Sequence, residues 1–75
     1  MERLNNILAK TFRISLSEAE KDLAMSDVAG WDSLTHMDLI VAIEQELNIQ
    51  LSGDDIADML SFEAIRQTVK KYLGE

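Results

Sequence analysis

The sequence predicts an all-α fold: a small four-helix bundle with three main helices, one short third helix and a long loop between helices 1 and 2. Three observations predict it. Apolar residues recur at three- and four-residue steps in three separate stretches, Leu4 to Phe12, Leu39 to Leu47 and Phe62 to Leu73. No stretch keeps the alternation of a strand, and Asn48-Ile49-Gln50-Leu51 alternates only briefly. The chain has 75 residues, which is room for a single domain (residues 1–75) with a thin core.

The first helix spans residues 3–13, with Leu4, Ile7, Leu8 and Phe12 on its core face and Arg3, Lys10 and Arg13 outside. Residues 14–31 lack a sustained period. Ser17-Glu18-Ala19-Glu20 has capping-box spacing and starts one short turn, after which Asp22 to Gly30 reads as loop. Ile14, Leu16, Leu23, Met25, Val28 and Trp31 are spaced along this connection and pin it to the core. Eighteen residues is long for a loop in a compact domain, and loops of that length are commonly functional when they are ordered.

The second helix runs from Ser33 to about Leu47, with Asn48 suited to the left-handed closing position. At 100° per residue its apolar positions fall into two arcs. Leu39, Ile40, Ile43 and Leu47 form a core face. Leu34, Met37 and Val41 form a second arc flanked by Asp38, Glu44 and Gln45, and a domain this small has little to cover it with. That arc is therefore expected to meet a partner. Ser52-Gly53-Asp54-Asp55 starts a short third helix containing Ile56, Met59 and Leu60. Ser61 caps the fourth, along which Phe62, Ile65, Val69, Tyr72 and Leu73 keep helical spacing.

Charge is unevenly placed. The formal net charge is −7, yet residues 18–63 hold twelve acids and only one base, Lys21, while both ends are mildly basic. An acidic middle repels nucleic acid and anionic lipid and attracts basic protein surfaces, and self-repulsion favours a monomer. No apolar run is long enough for a membrane span and no signal-peptide pattern opens the chain, so a cytoplasmic protein is expected.

Several chemistries are excluded by residue type. One histidine and no cysteine cannot build a structural zinc site, and Asp54 to Asp58 lacks the ligand ladder of a calcium loop. Three scattered glycines make no phosphate loop. Ser33 and His36 can be drawn as nucleophile and base, but position 36 falls on the core-facing arc and no glycine-flanked elbow surrounds the serine. What remains at Ser33 is a serine at a helix start, where unpaired N–H groups and the positive end of the helix dipole suit an anion.

Asp32-Ser33-Leu34 opening a helix, after a long loop in an acidic four-helix domain of this size, resembles an acyl carrier protein. The resemblance spans residue 3 to Leu73 and implies an acyl-carrier-like bundle that is not itself a catalyst. It implies that a phosphopantetheinyl transferase moves 4′-phosphopantetheine from coenzyme A onto Ser33, with Asp32 helping recognition. The arm's thiol then holds acyl groups as thioesters for acyl-loading, acyl-transfer and condensing enzymes with basic surfaces. Leu34, Met37 and Val41 become the apolar centre of the partner face, with Asp38 and Glu44 as its rim.

The match has departures. Thr35 and Gln45 stand where fatty-acid-synthesis carriers usually have acids, and no proline follows the second helix at Leu51-Ser52. Trp31 and Thr35-His36-Met37 look more like discrete carriers of specialised pathways such as polyketide biosynthesis. Two other readings stay open at this level: an aminoacyl or peptidyl carrier, and a cofactor-free helical adaptor in which Ser33 is only an N-cap.

Overall fold

The computed structural model describes residues 2–74, and its regular elements are helices. Helix α1 spans Glu2–Phe12, α2 Leu16–Ala19, α3 Ser33–Leu47, α4 Gly53–Asp58 and α5 Phe62–Leu73, with a 3₁₀ turn at Met25–Asp27. The three long helices are those expected. The connection between α1 and α3 differs in detail, because it holds the four-residue α2 as well as the 3₁₀ turn. The α2 turn begins at Ser15, whose hydroxyl accepts the Glu18 N–H at 3.2 Å; Ser17 is not the cap.

Local sequence accounts for the helix ends. Arg13 closes α1 in the left-handed conformation (φ 57°), and the Ile14 N–H reaches back to the Ala9 carbonyl at 3.0 Å. Asn48 closes α3 in the same conformation (φ 54°), a role its short polar side chain tolerates. Ser52 and Ser61 cap α4 and α5 by accepting the N–H groups of Asp55 and Ala64. Helix α4 ends two residues earlier than its apolar residues suggest, with Met59 in the core and Leu60 exposed.

Leu4, Leu8, Leu39, Ile40, Ile43, Met59, Phe62, Ile65 and Val69 are fully buried and form one core, with Phe12 and Trp31 at one end. The aromatic rings of Phe12, Trp31 and Phe62 meet with centroids 4.9 to 5.8 Å apart, within the range of favourable ring pairs.

The long connection is ordered by polar ties as much as by apolar pins. Val28 and Trp31 are buried, Ile14, Leu23 and Met25 partly so, but Leu16 is 48% exposed and pins nothing; Ala19 is buried in its place. An antiparallel bridge joins Ala24 to Ser61, with Met25 N–H donating to the Leu60 carbonyl and Phe62 N–H to the Leu23 carbonyl, both at 2.9 Å. Arg66 donates to the carbonyls of Ala19 and Lys21, and Asp22 accepts the Glu63 N–H at the start of α5.

At the other end of the bundle, the Tyr72 hydroxyl donates to Asp55 and accepts the Ser52 N–H, and Lys71 pairs with Asp55 at 2.9 Å. The Tyr72 hydroxyl first and Lys71 second hold the Asp55 carboxyl below its ordinary value, and Asp55 holds Lys71 above its own. Among the described residues no helix is long and apolar enough to cross a membrane.

Candidate functional site

The chain approaches α3 through a tight turn. Gly30 takes φ 85°, a conformation that costs glycine nothing, and the Trp31 N–H donates to the Val28 carbonyl at 3.2 Å. The Trp31 ring is then buried between Phe12 and Phe62, which fixes the backbone immediately before the helix. Asp32 is extended (φ −118°, ψ −174°), and its Oδ1 accepts the Thr35 N–H at 2.9 Å. Asp32 is therefore the N-cap. The Thr35 N–H and then the Thr35 hydroxyl, both donating to it, hold its carboxyl below the ordinary aspartate value.

Ser33 is the first residue of the helix proper, and it is exposed. Because Asp32 does the capping, the Ser33 hydroxyl makes no hydrogen bond to the described residues. Ser33 is therefore not the cap of α3, the role the adaptor reading gave it. A free primary hydroxyl lies beside the positive end of a 15-residue helix, an arrangement that fits a covalently held anion.

His36 lies one turn further on and is buried. Its Nδ1 accepts the Trp31 indole N–H at 3.0 Å, and its Nε2 donates to the Ile56 carbonyl at 2.9 Å. Neither nitrogen serves Ser33, so the two residues do not form a nucleophile–base pair.

The second arc of α3 is open to solvent. Leu34 is 76% exposed, Met37 49% and Val41 47%, unusual for large apolar side chains on one helix face. Asp38 is exposed beside them. Glu44 is half-buried, and its Oε2 accepts the Leu51 N–H at 3.0 Å, so this carboxylate also fastens the chain leaving α3. An open cleft of about 350 Å³ runs between the end of α1, the Ala29–Gly30 turn and the first turns of α3, with Arg13, Thr35 and Asp38 in its walls. Among the described residues no three of His, Asp and Glu gather as a metal-binding group.

Of the residues singled out in the sequence, the structure places Asp32 and Ser33 at the start of α3, Leu34, Met37, Asp38 and Val41 exposed along it, and Glu44 half-buried and bonded to Leu51. Sequence reasoning misses the Trp31–His36–Ile56 connection, which no local pattern announces because Ile56 contributes only a backbone carbonyl twenty residues away.

Residues 2–70 match the family model described as the phosphopantetheine attachment site. An acyl carrier protein of Guillardia theta is 32% identical over 60 residues, covering 80% of this chain and 73% of that protein. An acyl carrier protein of Solidesulfovibrio magneticus is 26% identical over 74 residues, covering 99% of this chain and 95% of that one. One of Buchnera aphidicola is 24% identical over 72 residues, with 96% and 92% covered. The family match over nearly the whole length, together with the Guillardia relative, shows that the chain belongs to the acyl carrier protein family, carrier proteins whose domain is the attachment site for a covalent 4′-phosphopantetheine.

Proposed function

We propose that Ser33 is the attachment residue and that the chain is a cytoplasmic, non-catalytic, single-domain carrier shuttling acyl intermediates between enzymes. The observation that carries this reading is the exposed, unbonded Ser33 hydroxyl directly after the Asp32 cap, in a family defined by phosphopantetheine attachment. A phosphopantetheinyl transferase takes the hydroxyl proton while Ser33 Oγ bonds to the pantetheine-side phosphorus of coenzyme A. The phosphoanhydride bond breaks, and adenosine 3′,5′-bisphosphate leaves. The new phosphodiester then sits beside the N–H end of α3, which favours its negative charge. When bound, the arm supplies a terminal thiol that holds acyl groups as thioesters.

Leu34, Met37 and Val41 give partner enzymes an apolar patch to bury, and Asp38 supplies charge that basic partner surfaces meet at its rim. Glu44, tied to Leu51, marks the far edge of that face. Acyl cargo is favoured because the three relatives above are named acyl carrier proteins. Thr35 and Gln45, in place of acids, favour a fatty-acid-like or polyketide pathway other than the housekeeping one.

The test is the intact mass after incubation with coenzyme A and a broad-specificity phosphopantetheinyl transferase, beside a Ser33→Ala control. Gain of one phosphopantetheine by the wild type alone supports the assignment. No gain, or an equal gain by Ser33→Ala, refutes it. The chain has no cysteine, so any thiol that appears belongs to the arm.

A further inference from the structure

His36 is the one buried polar side chain among the described residues, and the reading of Ser33 as attachment residue gives it no chemical part. Both of its nitrogens nevertheless have partners whose roles cannot be exchanged. An indole N–H only donates, so Nδ1, 3.0 Å from Trp31 Nε1, carries a lone pair. A carbonyl only accepts, so Nε2, 2.9 Å from the Ile56 oxygen, carries the proton. The two contacts together fix a neutral ring and a single tautomer.

The ring joins three segments. Trp31 ends the long connection, His36 belongs to α3, and Ile56 belongs to α4. Ser33 lies inside the span bridged by the Trp31–His36 bond, two residues after one end and three before the other. Helix α4 has no fully buried side chain. Its own polar attachments are Asp55 with Tyr72 and Lys71 at its start, and the Ile56 carbonyl on His36 in its middle. One imidazole thus bonds both to Trp31, two residues before Ser33, and to α4.

We infer that His36, held as the neutral Nε2–H tautomer, is a positioning residue for Ser33, registering the Trp31–Ser33 junction against α4 so that the hydroxyl is presented in one geometry to the modifying enzyme. The inference rests on Ser33 being the attachment residue. A protonated ring turns an N–H toward the indole N–H, donor against donor, and the Trp31 bond is lost. The charged groups on the elements around the ring are Asp32 and Asp38 near the start of α3, Arg13 after α1, and Asp54, Asp55 and Asp58 on α4. None of them hydrogen-bonds to either ring nitrogen, so nothing charged substitutes for the two neutral partners.

The chain has one histidine and one tryptophan, so both rings are unambiguous in a ¹⁵N spectrum. In the apo protein at neutral pH the proton is expected on Nε2, with the Trp31 indole N–H protected from exchange. A ring proton found on Nδ1, or an indole N–H that exchanges freely at neutral pH, overturns the inference without reference to any enzyme.

Trp31→Phe keeps an aromatic ring between Phe12 and Phe62 but removes the donor. With coenzyme A and a broad-specificity transferase it is expected to lose about tenfold in kcat/KM against wild type. The loss is expected in kcat, with KM within about twofold of wild type, because the exposed Leu34, Met37 and Val41 face is untouched. An equal rate for Trp31→Phe, or a deficit confined to KM, defeats the positioning role while leaving Ser33 as the attachment residue. Failure of the wild type itself to be modified defeats that assignment and the positioning role together. Should Trp31→Phe not fold, His36→Gln, which can still accept and donate, is compared with His36→Phe, which can do neither. Faster modification of the glutamine variant supports the inference, and equal rates oppose it.

Discussion

Asp32 Oδ1 accepts the Thr35 N–H at 2.9 Å, which makes Asp32 the cap of α3 and leaves Ser33 with nothing to hold. Two neighbouring residues that could each cap a helix are thereby given separate work. Asp32 secures the helix start, and Ser33 is available for chemistry.

Ser33→Ala should therefore leave stability within about 0.5 kcal/mol of wild type in urea unfolding, since no bond is lost and alanine favours the helix. Asp32→Ala should lower the thermal midpoint visibly, whereas Asp32→Asn, an equally good cap, should not. If Asp32→Asn is as stable as wild type but is modified more slowly by the transferase, the carboxylate acts in recognition as well as in capping.

Alanine at Leu34, Met37 or Val41 should separate docking from folding. Each side chain is close to half exposed or more, so each replacement should change stability by less than about 1 kcal/mol. The transferase KM should rise several-fold. A large loss of stability with unchanged KM would assign these residues to the core instead.

Arg13 holds a left-handed conformation without the excuse of a short polar side chain. Arg13→Gly removes the steric penalty at a helix C-terminus and should stabilise the protein by about 1 kcal/mol, read as a higher urea midpoint at unchanged slope.

The pH dependence of stability follows from Asp32, Asp55 and Lys71. Both aspartates have depressed values in the folded chain, so their stabilisation is present above the ordinary aspartate value near 3.9 and is lost as pH falls through the folded values. Lys71 is raised, so its part is present below about 10.5 and is lost as pH rises through its folded value. A plateau between these limits is expected in urea unfolding. Tyr72→Phe removes the main cause of the Asp55 depression. Its deficit against wild type should be largest on the plateau and should shrink below about pH 4.

Much of this architecture was legible because its signals are local. Asn48, Ser52 and Ser61 sit within a turn of the helix ends they close, and the two arcs of α3 follow from spacing alone. The choice between Asp32 and Ser33 as cap was not legible, since both types serve and only the extended backbone at Asp32 decides. The course of residues 14–31 was the least readable part. It is held by bonds to residues some forty positions away, and periodicity within the segment carries no trace of them.

The bridge between Ala24 and Ser61 uses only main-chain atoms, which every residue except proline can supply. The path of the connection there depends little on which side chains it carries. Exchange of the exposed side chains beside the bridge, and with them the surface shown to different enzymes, leaves this main-chain tie to α5 in place. A proline at Met25 or Phe62 is the change that such latitude does not extend to, because each of those N–H groups holds the strap shut.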